Sequence, residues 1–347
     1  MRLSLQRREQ SRLKTAARLG CLLLCLLAAC SQVPVTTSPI PSSQVPATAL
    51  PTTSLATMAV YATATLPTIT EDNTSPVPTA SALPADFWQK LPVVPGQISQ
   101  RVREIYQNGL ALGNNPHIFS RIGDCASAAP AFLVGFDGPY NLGEYIALQP
   151  AIDYFKFSFG HPSLAAKAGM NSAGLLTTLW TGKQCQKDES LLDCQYRLDR
   201  PSFAIIAIGT NEAYYVHENP GSFEHNMRII LDDTIARGIV PILGTKADNV
   251  EGDQSINATI ARLAIEYQIP LWNFWLAAQP LPKHGMVDPE HLNSVSYANF
   301  TDFSIPNSLE YGVQVHNLTA LQMLEFMREQ LGQHPAVEGS PTSTATP

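Results

Sequence analysis

Charge is scarce in this chain. Of its 347 residues, 15% are Asp, Glu, Lys or Arg, against roughly 25% in ordinary globular proteins. Six of the 22 basic residues and one of the 29 acidic ones fall in the first 29 positions, which leaves the rest of the chain at a net of −12. No basic stripe interleaved with aromatics is present. Nucleic-acid binding, which depends on phosphate neutralisation by Lys and Arg, is therefore not expected. Long apolar runs are lacking as well: residues 19–29 form one of about 11 residues, too short to cross ~30 Å of hydrocarbon as a helix. Cysteine is sparse, with six residues, whereas proline is abundant, with 27, many of them in the first hundred positions.

The short apolar run follows a basic stretch, Arg2 to Arg18, in the order of a secretory signal peptide. Leu27-Ala28-Ala29-Cys30 comes next and resembles a bacterial lipobox, which implies cleavage before Cys30 and lipidation of its sulfur. Ordinary secretion with a chance cysteine, or an uncleaved anchor, are the alternatives. The expected location is the extracytoplasmic cell surface, anchored to the membrane by acyl chains. Residues 30–85 are rich in Ser, Thr and Pro, and Glu71 and Asp72 are the only charges before Asp86. Such a segment buries too little apolar surface to offset its ordering entropy and reads as a disordered stalk. Residues 334–347 have the same character. The organisation is thus signal 1–29, stalk 30–85, one folded domain 86–333, and a disordered tail 334–347.

Within the domain, helical patterns at 98–112, 142–154, 189–198, 224–237, 258–267 and 318–331 alternate with strand patterns at 117–122, 163–168, 203–208, 239–243 and 271–275. The runs Phe203-Ala204-Ile205-Ile206-Ala207-Ile208 and Ile239 to Leu243 are continuously apolar, as strands covered on both faces are. Alternation at this spacing predicts an α/β fold, a parallel central sheet in a three-layer α/β/α arrangement. In such sheets the chemistry gathers beyond the carboxyl ends of the strands.

Polar blocks stand at those ends: Gly123-Asp124-Cys125-Ala126-Ser127, Gly169-Met170-Asn171-Ser172, Gly209-Thr210-Asn211-Glu212 and Asp288-Pro289-Glu290-His291. Taken in this order, they resemble the SGNH (GDSL-type) hydrolase superfamily over the whole domain. The resemblance implies a flavodoxin-like fold and ester hydrolysis through an acyl-enzyme. It puts the nucleophile at Cys125, where the family keeps serine, the base at His291 and its orienting carboxylate at Asp288. The oxyanion donors it implies are the amides of Cys125 and Gly169 and the side chain of Asn211. Gly174 is a competing choice for Gly169.

Three readings of the cysteine stand open. Cys125 is a thiol nucleophile; Ser127 takes the role with shifted geometry; or Cys125 is structural or disulfide-bonded and the domain binds a glycan or cell-wall ligand without turnover. His316, before the last helical pattern, is a second candidate base. Cys185 and Cys194, in one polar stretch, are candidates for a small disulfide loop. His284, Asp288 and His291 fit no zinc spacing, so no metal or cofactor is expected. The partners expected are a small-molecule or glycan ester and, through the anchor, a membrane. The expected state is a monomer.

Overall fold

The computed structural model describes residues 84, 86–128, 130–295 and 300–332, all within the unit that begins at Asn73. The signal segment, Cys30, stalk residues 31–83 and the tail 334–347 lie outside the described residues.

Four strands form one parallel sheet in the order β1-β2-β3-β4: β1 Asn115–Gly123, β2 Pro201–Ala207, β3 Val240–Gly244 and β4 Leu271–Trp272. The helices are α1 Gln100–Ala111, α2 Gln149–Tyr154, α3 Ser172–Leu175, α4 Leu191–Asp199, α5 Ser222–Ala236, α6 Ser255–Glu266, α7 Phe274–Ala278 and α8 Gly312–Leu331. Strand and helix alternate, so the protein is an α/β fold with a parallel sheet flanked by helices. None of the described helices is long and apolar enough to cross a membrane.

The apolar runs explain the sheet. β3 is buried along its whole length, as is β2 apart from half-buried Ala207. β1 is buried only over its last five residues, so its carboxyl end runs under the flanking layers. Ser99 caps α1, its hydroxyl accepting from Val102 N–H at 3.1 Å, and Ser190 does the same for α4. Each such cap contributes about 1 kcal/mol by satisfying an otherwise orphaned amide.

The segment expected as a strand at 163–168 is only an isolated parallel bridge, Gly123 to Ala166. It lies on the far side of β1 from β2, because Gly123 uses both its N–H and its C=O there, to Ala165 and Lys167. The chain therefore steps outward from β1 once and then returns to build β2 to β4 on the other side. With right-handed crossovers this reversal puts helices on both faces and opens a crevice at the carboxyl ends around β1.

Three other expectations need correction. The strand expected at 271–275 ends at Trp272, because Asn273 caps α7 and turns the chain. The helical pattern at 142–154 is a 3-10 turn, Gly143–Leu148, kinked at Tyr145, followed by α2. The last helix begins at Gly312 rather than 318, so His316 lies inside it. Cys185 and Cys194 form a disulfide across a sequence separation of 9, and Cys125 is a free thiol.

Candidate functional site

Asp124 organises the crevice. It lies directly after β1, is 3% exposed, and its carboxylate accepts from the amides of Ala126 (3.2 Å), Gly209 (3.3 Å) and Thr210 (3.2 Å). It thereby ties the turn after β1 to the turn after β2. Burial outweighs these bonds and pushes its carboxyl up to about 6. The adjoining turn is held to the next block: Asn211 Nδ2 donates to Met170 O at 2.9 Å, and Ser172 N–H donates to Glu212 Oε1. Cys125 follows Asp124, Asn211 follows Thr210 and Gly169 precedes Met170, so these bonds gather the three blocks at one sheet edge.

Behind this edge lies a buried ionic cluster. Lys246, just past β3, bonds Asp248 at 2.6 Å and Glu251 at 2.5 Å. Asp248 in turn accepts from the Thr210 hydroxyl at 2.8 Å. The polar residues after β3 thus support the turn that carries Asn211. The position of Thr245-Lys246-Ala247-Asp248 at a strand's carboxyl end was the available signal for this cluster, and sequence reasoning passed over it.

Donors remain for a substrate oxygen. Among the described residues, no backbone carbonyl accepts from the N–H groups of Cys125 and Gly169, the Cys125 N–H lying toward its own sulfur, and one N–H of the Asn211 amide is left over after Met170. Gly169 has φ of +77°, a left-handed backbone that glycine adopts without strain, and nothing lies within 4 Å of the position a Cβ would take. Gly174, the competing glycine, is buried and its N–H is spent on the Asn171 side chain at 2.8 Å.

Across the cleft, Asp288 forms a tight local turn. Its carboxylate accepts from the amides of Glu290 and His291 and lies 3.0 Å from His291 Nδ1 through each oxygen. These bonds hold Asp288 below the usual carboxylate range, the Glu290 amide being the largest cause. Because Nδ1 faces the carboxylate, Nε2 is the free nitrogen of the imidazole. Both side chains are about half exposed. A hydrogen bond from Tyr214, in the turn after Asn211, to Glu290 ties this loop to the opposite wall.

Cys125, Asp288 and His291 line one cleft of about 510 Å³, whose other walls include apolar Pro130, Ala131, Val287, Leu292 and Val313. No hydrogen bond joins Cys125 Sγ to the imidazole. Burial, followed by the neighbouring Asp124 charge, pushes the thiol up to about 12, so it is protonated at neutral pH.

The two alternative catalytic residues are placed differently. Ser127 is fully buried and its hydroxyl donates to Ala207 O at 2.9 Å; it joins the turn to β2 and does not line the cleft. His316 is 3% exposed at the cleft floor, between the rings of Phe132, Trp272 and Phe274 at centroid distances of 4.4, 4.7 and 4.4 Å. Desolvation lowers it to about 3, which keeps it neutral and a poor proton acceptor. Among the described residues, Cys185, Glu189 and Cys194 are grouped closely enough to suggest a metal, but the disulfide consumes both sulfurs.

No family model matches the chain, nor does any curated protein. Solved structures similar to it include two GDSL-type proteins. One is a lipolytic protein of the G-D-S-L family from Desulfitobacterium hafniense DCB-2, with 17% identity and a TM-score of 0.36 over 60% of this chain and 99% of that one. The other is a GDSL-like lipase from Bacteroides thetaiotaomicron VPI-5482, with 16% identity and a TM-score of 0.33 over 65% and 97%. Likeness at this level assigns no activity, and the fold described above rests on the sheet itself.

Proposed function

We propose that the protein is an exported acyl-ester hydrolase of SGNH type, anchored by a lipid on Cys30 and working as a monomer outside the membrane. The observation that carries this reading is the cleft shared by Cys125 and the Asp288-held His291. Its apolar walls suit the acyl part of an ester, and the alcohol part, a carbohydrate or small alcohol, faces solvent.

A thiol pushed up to about 12 is not a standing thiolate, so His291 Nε2 takes its proton as sulfur attacks the ester carbonyl. The carbonyl oxygen becomes an oxyanion facing the amides of Cys125 and Gly169 and the Asn211 side chain, each donor of this kind contributing about 3–4 kcal/mol. Collapse breaks the C–O bond, and His291 returns the proton to the leaving alcohol. Water, deprotonated by His291, then cleaves the thioester, releasing the acid and restoring the thiol. Asp288 holds the imidazole tautomer throughout.

A second reading, a binding module on the same fold, draws on the high pKa of the thiol and the lack of a sulfur–imidazole hydrogen bond. An aryl-ester assay with iodoacetamide separates the two. Turnover that iodoacetamide stops, and that Cys125→Ala lowers by about 10³ or more, supports the esterase. An unchanged rate in Cys125→Ala removes Cys125 as nucleophile. Absence of turnover across acyl-chain lengths, with measurable binding of a glycan, supports the module.

A further inference from the structure

Glu212 has no role in the chemistry above, yet it is among the most enclosed carboxyls in the protein, with 0% exposure. One of its oxygens accepts the Ser172 amide, and the other, Oε2, is buried without a hydrogen-bond partner. Its neighbour Asn211 holds Met170 O. Two consecutive side chains of the turn after β2 thus grip residues 170 and 172 of the facing turn, and Gly169 sits directly before the gripped pair. No side chain packs where a Gly169 Cβ would be, so its amide is placed by what holds its neighbours. From α5, Asn226 Nδ2 adds a third bond, to Ser172 Oγ at 3.1 Å.

We propose that Glu212 is a positioning residue of the oxyanion site, its buried carboxyl holding the 169–172 turn in register with Asn211. The proposal rests on the esterase reading for its catalytic part. Its structural part stands on the hydrogen bonds alone.

The charge state of Glu212 matters in such a site. The titratable groups facing it are Asp124, from the end of β1, and Tyr215, from its own turn. Desolvation, the largest cause, pushes its carboxyl up to about 7. Below that pH it is neutral and still offers Ser172 an acceptor oxygen. Above it, a buried negative charge one residue from Asn211 opposes the second negative charge that forms on the oxyanion. Activity then falls on the alkaline side, near pH 7.

The test uses the full-length chain, with Glu212→Ala and Glu212→Gln, read by amide hydrogen exchange and by aryl-ester hydrolysis against pH. In Glu212→Ala the Ser172 amide exchanges about tenfold faster or more, and kcat falls about tenfold at little-changed KM, because oxyanion donors act in the transition state. Glu212→Gln keeps an acceptor oxygen, recovers most of the loss and lacks the alkaline limb. Unchanged Ser172 exchange in Glu212→Ala overturns the proposal, as does an alkaline limb that persists in Glu212→Gln. If the wild type hydrolyses no ester while Ser172 exchange still rises in Glu212→Ala, the esterase reading fails and the clamp stands. Should Glu212→Ala not fold, Ser172 exchange and the pH profile of Glu212→Gln carry the decision.

Discussion

The two sides of the candidate site are built on opposite plans: the polar turns behind Cys125, and the loop that carries His291. The wall at the sheet edge is buried and cross-linked by residues far apart in sequence: Asp124 to Gly209 and Thr210, Asn211 to Met170, Glu212 to Ser172, and Thr210 to Asp248, whose charge Lys246 balances. The facing wall carries Asp288 and His291, both half exposed, whose own bonds stay within four residues; its ties further afield are Tyr214 to Glu290 and Asn293 to Gly285, Gly312 and Val313. Donors that must meet an oxyanion without reorganising belong on a rigid wall. A proton-transfer group that must approach a variable substrate tolerates a looser one. Damage to the first wall should therefore cost stability, and damage to the second should cost turnover alone.

The largest effect is expected at Lys246. Lys246→Met leaves the carboxylates of Asp248 and Glu251 buried without their cation, and denaturant unfolding should show a loss of about 3–5 kcal/mol. A loss below about 1 kcal/mol would mean that the inner wall is not held as described.

His316 comes next, through pH. Its folded-state pKa of about 3 lies below the unfolded value near 6.5. The unfolded chain therefore takes up the proton first. The stability due to neutral His316 is complete above about pH 6.5 and is lost as pH falls toward 3, on the order of a few kcal/mol across that window. Thermal unfolding of His316→Phe should lack this part of the acid slope; an identical slope in both proteins would refute the buried placement.

Asp288→Asn tests the outer wall. The exposed turn survives, but the imidazole loses the partner that fixes its tautomer. The expected result is a fall in kcat of about tenfold or more, with Tm unchanged. A matching drop in Tm would erase the contrast between the walls.

The smallest effect belongs to a surface network remote from both. Arg262 and Arg228 hold the Glu224 carboxyl down to about 2, yet all three side chains are roughly a third exposed and solvent screens them. Glu224→Gln should cost less than about 1 kcal/mol. Because that carboxyl is depressed, its contribution is present above about pH 4.5 and fades as pH falls toward 2.

These predictions also mark what the sequence made legible. β2 and β3 were plain because a continuous apolar run has few other uses. The four polar blocks were visible because strand ends concentrate chemistry. Less visible were boundaries set by single capping side chains, such as Asn273, which converts an apolar stretch from strand to helix. The start of α8 was missed because Gly312 and the β-branched Val313 and Val315 are weak helix formers, and tertiary packing overrides them. Apart from the polar block after β3, the pairings that support the inner wall leave no local pattern. Glu212 and Ser172 are 40 residues apart, and Thr210 and Asp248 are 38 apart. Ser127 showed the reverse failure: a hydroxyl near the nucleophile position is used up by a backbone carbonyl.

The pairing of Cys185 with Cys194 leaves Cys125 as the unpaired sulfur of the domain. In an oxidising compartment such a thiol is vulnerable to disulfide exchange and to peroxide, and both attack it as the thiolate. A thiol whose ionisation is pushed up to about 12 presents almost no thiolate to either. The suppression that makes Cys125 look inert in the free protein is then a form of preservation: on the esterase proposal, its sulfur stays reduced until a bound ester and an incoming imidazole call on it together.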